Sequence, residues 1–217
     1  MKSDAWPFVP PTHHKKLGES PFRVRGTVYA GYLSFIHTQF PGGLTAVCAQ
    51  IDNKNVEGFL RDTIFLAASS YDIEALMYVM RVLTEWTKTP LDKLVREGAR
   101  RAAEADVVGK YRAQLRSASV EEMVHRLPRI FMRYFDPCQS ELTRVDATSA
   151  EMRISGLPAS ALGFYVWPNE GFISGALESV GARDIRFSWS TPVFEGEVEG
   201  VPVQRMLCRM MWTNPSA

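Results

Sequence analysis

Ser119-Val120-Glu121-Glu122-Met123-Val124-His125-Arg126-Leu127-Pro128-Arg129-Ile130-Phe131-Met132-Arg133-Tyr134-Phe135, running into Asp136-Pro137, decides how this chain divides. Ser119 and Glu122 have the spacing of a capping box, in which hydroxyl and carboxylate each satisfy an N–H left over at the helix start. Val120, Met123, Val124, Leu127, Phe131, Tyr134 and Phe135 recur at helical spacing and form one wide apolar face. His125, Arg126, Arg129 and Arg133 lie opposite, with Glu122, as a mostly basic stripe. Pro128 falls inside the pattern and predicts a kink near Val124, whose carbonyl loses its donor. Asp136-Pro137 stops the helix, and beyond it the period of the pattern drops from about 3.6 to about 2.

Downstream of that junction the chain reads as strands around one helix. Met152 and Ile154 alternate with Glu151, Arg153 and Ser155, and Glu141 to Asp146 pairs with them across Ala147-Thr148-Ser149. Trp167-Pro168-Asn169 opens a helix with Phe172, Ile173, Ala176, Leu177 and Val180 inward, ended by Gly181 as its left-handed cap. Ile185, Phe187 and Trp189 alternate with Arg186, Ser188 and Ser190 as a strand. A last strand sets Met206, Cys208, Met210 and Trp212 against Arg205, Leu207 and Arg209, and Glu195 to Gly200 between the two strands reads as an acidic loop.

Upstream the pattern is helical. Val28, Tyr32, Phe35 and Ile36 share a face that ends at Pro41-Gly42-Gly43; Leu44, Val47, Cys48 and Ile51 follow, then Val56, Phe59 and Leu60. Ser69-Ser70-Tyr71-Asp72 offers a cap for a helix to Thr87 with Ile73, Leu76, Met77, Met80, Leu83 and Trp86 in the core. After Thr89-Pro90, the face Leu91, Leu94, Val95, Gly98, Ala99 and Ala102 turns from bulky to small, and Val108, Tyr111 and Leu115 resume the pattern. The order predicts an α+β fold: a helical N-terminal half, then a β-β-α-β-β antiparallel sheet packed against helices. Residues 21–217 form a single domain on this reading, and residues 1–20 a flexible Pro-rich tail in which Trp6 and Phe8 can dock.

Composition narrows the function classes. The chain has 217 residues, 46% hydrophobic and 23% charged, which suits a globular domain with a core of its own. Its 25 basic and 24 acidic residues give a net charge of +1, without the basic excess of a nucleic-acid binder. Cys48, Cys138 and Cys208 are three widely spaced cysteines that make neither a disulfide framework nor a metal pair. No apolar run approaches the roughly 18 residues of a membrane span, and no signal-peptide pattern opens the chain, so a cytoplasmic protein is expected.

No residue declares a reaction. Phosphate-loop, dinucleotide, zinc-protease and serine-hydrolase motifs are all absent from the sequence. His13-His14 in the tail lacks the convergent ligands a metal needs, and no catalytic or metal residue is assigned. Two candidate sites remain. The stripe His125, Arg126, Arg129 and Arg133 can hold an anion or an acidic partner through bidentate guanidinium bonds, or simply be a solvated face. Tyr71, Trp86, Trp167, Trp189 and Met210 supply aromatic and soft surface for a ligand site between sheet and helices, or for a plain core.

Several blocks also resemble a known family. Arg23 to Val28, Ser70 to Leu76, Leu94 to Ala99, Arg126 to Asp136, Gly171 to Glu178 and Gly181 to Arg183 resemble, in order, an uncharacterised family of similar length expanded in myxobacteria. More distantly the pattern is similar to the superfamily of 4-vinyl reductase domains, TRAPP vesicle-tethering subunits and heme nitric-oxide sensors. That resemblance implies an α+β fold, frequent dimerisation and, in some members, an apolar ligand cavity. The heme sensors' Tyr-x-Ser-x-Arg motif corresponds here to Tyr32-Leu33-Ser34-Phe35-Ile36, with isoleucine in the arginine position, and the late cysteines of metal-binding relatives reduce to Cys208. Neither heme nor zinc is expected, and no other cofactor.

The leading expectation is a non-enzymatic regulatory module that binds a small apolar ligand or a protein partner, with no nucleic acid. A structural homodimer joined through Gly98, Ala99 and Ala102, or through Gly171 and Gly175, is the first rival. An enzyme using His125, Arg129 and Arg133 on an anionic substrate is the second.

Overall fold

The computed structural model describes residues 6–11, 16–108 and 119–214, with the backbone alone for 106–108. His13-His14 and the resumed pattern at Tyr111 and Leu115 lie outside the described residues. The first half runs β1 (Arg23–Arg25), α1 (Gly26–Gln39), α2 (Gly43–Cys48), α3 (Lys54–Asp62), β2 (Ser70–Asp72), α4 (Ile73–Thr87) and α5 (Leu91–Val108). The helix placed from Ser69 begins instead at Ile73, because Ser70–Asp72 pairs antiparallel with β1, Tyr71 opposite Val24. Asp72 is the cap: its Oδ1 accepts from Glu74 N at 2.9 Å. Trp86, placed in the core from its spacing, is 38% exposed and tilts onto Phe40.

The junction helix, α6 (Val120–Tyr134), forms as its sequence dictates. Ser119 Oγ accepts from Glu122 N, and Glu122 Oε2 accepts from Ser119 N, both at 3.2 Å. Val120, Met123, Val124, Leu127 and Phe131 are buried, and Pro128 is buried with them inside an uninterrupted helix. Its end passes into β3 (Phe135–Asp136), which joins β1 and β2 in a three-stranded sheet of order β2-β1-β3.

The second half is β4 (Gln139–Asp146), β5 (Ser149–Pro158), a 3-10 turn at Ala159–Ala161, α7 (Leu162–Ser179), β6 (Arg183–Trp189), β7 (Val193–Val198) and β8 (Val201–Thr213). The fold is therefore α+β, with a helical first half and an antiparallel sheet packed against helices. Within the sheet the order is β4-β5-β8-β6, and β7 pairs with the first half of β8 beside β6. The segment read as an acidic loop is thus largely strand: Val193 pairs with Arg205 and Val198 with Val201. Helix α7 starts at Leu162, well before Trp167. Leu162 to Trp167 is buried on every side, so it lacks the one-sided pattern that marks a surface helix. Gly181, at φ +100°, ends it, with Gly181 N donating to Glu178 O and Ala182 N to Leu177 O.

Helices α5 and α7 lie backbone against backbone. A Cβ at Gly171 would collide with the Arg96 carbonyl, and one at Gly175 would come within 2.8 Å of the Arg100 carbonyl. Arg96 pairs with Asp92 on its own helix and with Glu170 on α7, Nε to Oε2 at 2.6 Å; Arg100 reaches Glu178, also at 2.6 Å. The Gly171/Gly175 face, one of two considered in the rival reading as a contact between copies, packs on α5 of the same chain. Residues Trp6–Pro11 lie against the same helix: Gly163 N donates to Pro7 O, Val9 N to Ser160 O, and Phe8 stacks on Trp167.

Candidate functional site

The apolar faces of the helices do not close on one another completely. Between them lies a cavity of about 550 Å³, within the size range of small-molecule sites. Val28, Tyr32 and Phe35 of α1, Met80 and Leu83 of α4, and Leu94, Gly98 and Ala99 of α5 form one side. Leu127, Ile130, Phe131 and Tyr134 of α6 and Phe164, Phe172 and Ile173 of α7 form the other. Its exposed lining residues are Gly31 on α1 and Glu97, Arg101, Ala102 and Ala105 on α5, which places the mouth between those two helices.

Several neutral polar residues interrupt the apolar lining: Thr27, Tyr32, Thr87, Thr89, Tyr134 and Asn169. Asn169 on α7 is buried at 5% exposure, and its Nδ2 has no hydrogen-bond partner among the described residues. The buried hydroxyl of Thr27, in the first turn of α1, has none either. Both residues line the cavity. Burial also pushes the Tyr32 phenol well above its ordinary 10.0, so it stays protonated. The charged lining residues, Glu97 and Arg101, stand at the mouth and face each other at 3.8 Å. Among the described residues that line the cavity there is no histidine and no cysteine.

The residues singled out from sequence stand elsewhere. His125, Arg129 and Arg133 are exposed and Arg126 is half-buried, and none of the four lines the cavity. That position removes the motive for an enzyme built on His125. Tyr71 packs on Phe65 and accepts from Leu66 N through its hydroxyl at 2.6 Å; Trp86 sits on Phe40; Trp167 stacks with Phe8. Trp189 donates from Nε1 to Glu170 at 2.9 Å, and Met210 is fully buried on β8 opposite Phe187. None of the five lines the cavity. Gly98, Ala99 and Ala102, considered as a contact between copies, line it instead. Thr27 and Asn169 went unnoticed, although Asn169 is conspicuous as an amide within an apolar helical run.

Among the described residues no group of three His, Cys, Asp or Glu could hold a metal, and no helix is long and apolar enough to cross a membrane.

No family model matches the chain, and no curated protein matches it in sequence. Solved structures match it in fold. A mutant H-NOX of T. tengcongensis superposes with a TM-score of 0.61 at 12% identity, over 89% of this chain and 100% of that one. The fold is H-NOX-like. An H-NOX protein from S. oneidensis in the Fe(II)NO ligation state gives 0.60 at 12% identity, over 88% and 99%. An oxygen-binding H-NOX domain related to soluble guanylate cyclases gives 0.56 at 14%, over 88% and 96%.

Among the described residues, the lining offers a heme iron neither a histidine nor a cysteine, and its tyrosines are Tyr32 and Tyr134. Heme iron is held by a histidine, a cysteine thiolate, a methionine with histidine, or a tyrosine phenolate. Of the described histidines, His37 and His125 are exposed and outside the lining, and Cys48, Cys138 and Cys208 are buried away from it. Arg101, the one cation among the described lining residues, faces Glu97 at 3.8 Å.

Proposed function

We propose that this chain is a sensor-type binding module that takes a small, largely apolar molecule into the cavity between α1, α4, α5, α6 and α7. The observation that carries the reading is the cavity itself. Interiors of domains pack close to crystal density, and a void this size forgoes contacts its walls would otherwise make. The H-NOX-like fold supports it, since solved proteins of that fold are described as binding oxygen and nitric oxide. The lining supplies shape and apolar surface and lacks a nucleophile–base pair, which favours binding over catalysis.

The test is native mass spectrometry of the protein purified from its own host, with Ala99→Phe as the blocked control. Ala99 lines the cavity, so a phenyl ring there takes up its space. A retained molecule in the wild type that is lost from a folded Ala99→Phe supports the reading. A molecule retained equally by both variants places binding elsewhere and overturns it.

A further inference from the structure

A buried polar group with no partner is strongly disfavoured, and native structures nearly always explain one by a missing companion. Here two such groups, unpartnered among the described residues, line one cavity: the Asn169 amide Nδ2 and the Thr27 hydroxyl. Beside Asn169, Pro168 has no N–H to offer the Phe164 carbonyl one turn back, and Phe164 and Pro168 also line the cavity. The largely apolar wall therefore carries neutral hydrogen-bonding capacity. Among the described lining residues formal charge is confined to Glu97 and Arg101, which face each other at the mouth, so the described part of the buried wall holds no group that neutralises a charged ligand.

Resting on the reading that the cavity is a ligand site, we infer that its ligand is an uncharged apolar molecule bearing an amide, alcohol or ketone. That group is held by the Asn169 carboxamide and the Thr27 hydroxyl, and the apolar body extends toward the mouth at Gly31 and Ala102. A carboxamide both donates and accepts, and a hydroxyl does the same, so the pair can satisfy a neutral group of either kind. Carboxylates, ammonium ions and plain hydrocarbons are all disfavoured, the first two by desolvation and the last because it leaves both groups unpaired.

Titration calorimetry on the full chain with octanamide, octanol, octane, octanoate and octylamine tests this. Hydrophobicity alone ranks octane first. The inference expects octanamide and octanol to bind about tenfold more tightly than octane and than either charged compound. In Asn169→Leu, which keeps the branching at Cγ and removes the hydrogen bonds, the advantage of octanamide disappears while octane binds no more weakly than octanamide. Thr27→Val narrows the same gap, and it carries the test if Asn169→Leu does not fold. Octane matching octanamide in the wild type, or octanoate or octylamine binding most tightly, overturns this inference and leaves the cavity reading standing. Absence of binding by all five probes overturns both.

Discussion

Glu170 on α7 accepts a hydrogen bond from Trp189 Nε1 on β6 at 2.9 Å, and its other oxygen meets Arg96 Nε of α5 at 2.6 Å. One carboxylate thus ties the helix pair to the sheet. Glu170→Ala leaves the Trp189 N–H and part of the Arg96 guanidinium without their acceptor. The expected loss is about 1–3 kcal/mol by denaturant unfolding. Glu170→Gln keeps an acceptor for the indole and loses less.

Gly171 and Gly58 should respond with opposite signs to the same change. Gly171→Ala drives a methyl into the Arg96 carbonyl, and separating α5 from α7 costs about 1–3 kcal/mol. Gly58, inside α3, has open space around it, its nearest neighbour being Asp62 Oδ2 at 4.0 Å. Gly58→Ala gains up to about 1 kcal/mol from helix propensity. Melting temperatures of the two variants check the contrast.

Ser119→Ala removes half of the capping box and costs about 1 kcal/mol. Circular dichroism melts should show the loss, and Ser119→Asp, which restores an acceptor at the cap, should recover most of it.

Asp72 sets a pH dependence. Burial holds its carboxyl above the ordinary value of 3.8, against the hydrogen bonds from the Glu74 and Gly18 N–H groups that pull it down. The folded protein therefore takes up this proton at higher pH than the unfolded chain. Protonation of Asp72 adds stability as pH falls through the raised value, and the gain is complete below 3.8. In Asp72→Asn the gain is absent, so the melting-temperature difference, wild type minus variant, should rise as the solution is acidified through that window.

What could be read from the sequence was what carries a period. The capping box, the hairpin of β4 and β5, and the alternation Met206, Cys208, Met210 and Trp212 each announced their element, and each formed. Strands of two or three residues, such as β1, β2 and β3, are too short to alternate, so the three-stranded sheet stayed hidden. β7 was masked by Glu195, Gly196 and Glu197, residues that usually mark loops, here held at a sheet edge by β8. The cavity was invisible for a different reason. Val28, Tyr32, Phe35, Leu94, Gly98, Leu127, Phe131 and Phe172 do point inward, as their spacing says. Periodicity tells which face turns in, not whether it meets atoms or a void. The aromatic residues chosen for bulk fill tight places, and the two groups that mark the void are a threonine and an asparagine.

Pairing on both sides of β8 makes its removal unusually hazardous. A chain ended at Gly200 would lose one strand and uncover three, since β5, β6 and β7 all spend an edge on it. Three open ladders with Met152, Ile154 and Phe187 beside them are a template for intermolecular pairing. Such a truncation should accumulate as aggregate on expression, whereas one that spares β8 and ends at Asn214 should remain in solution.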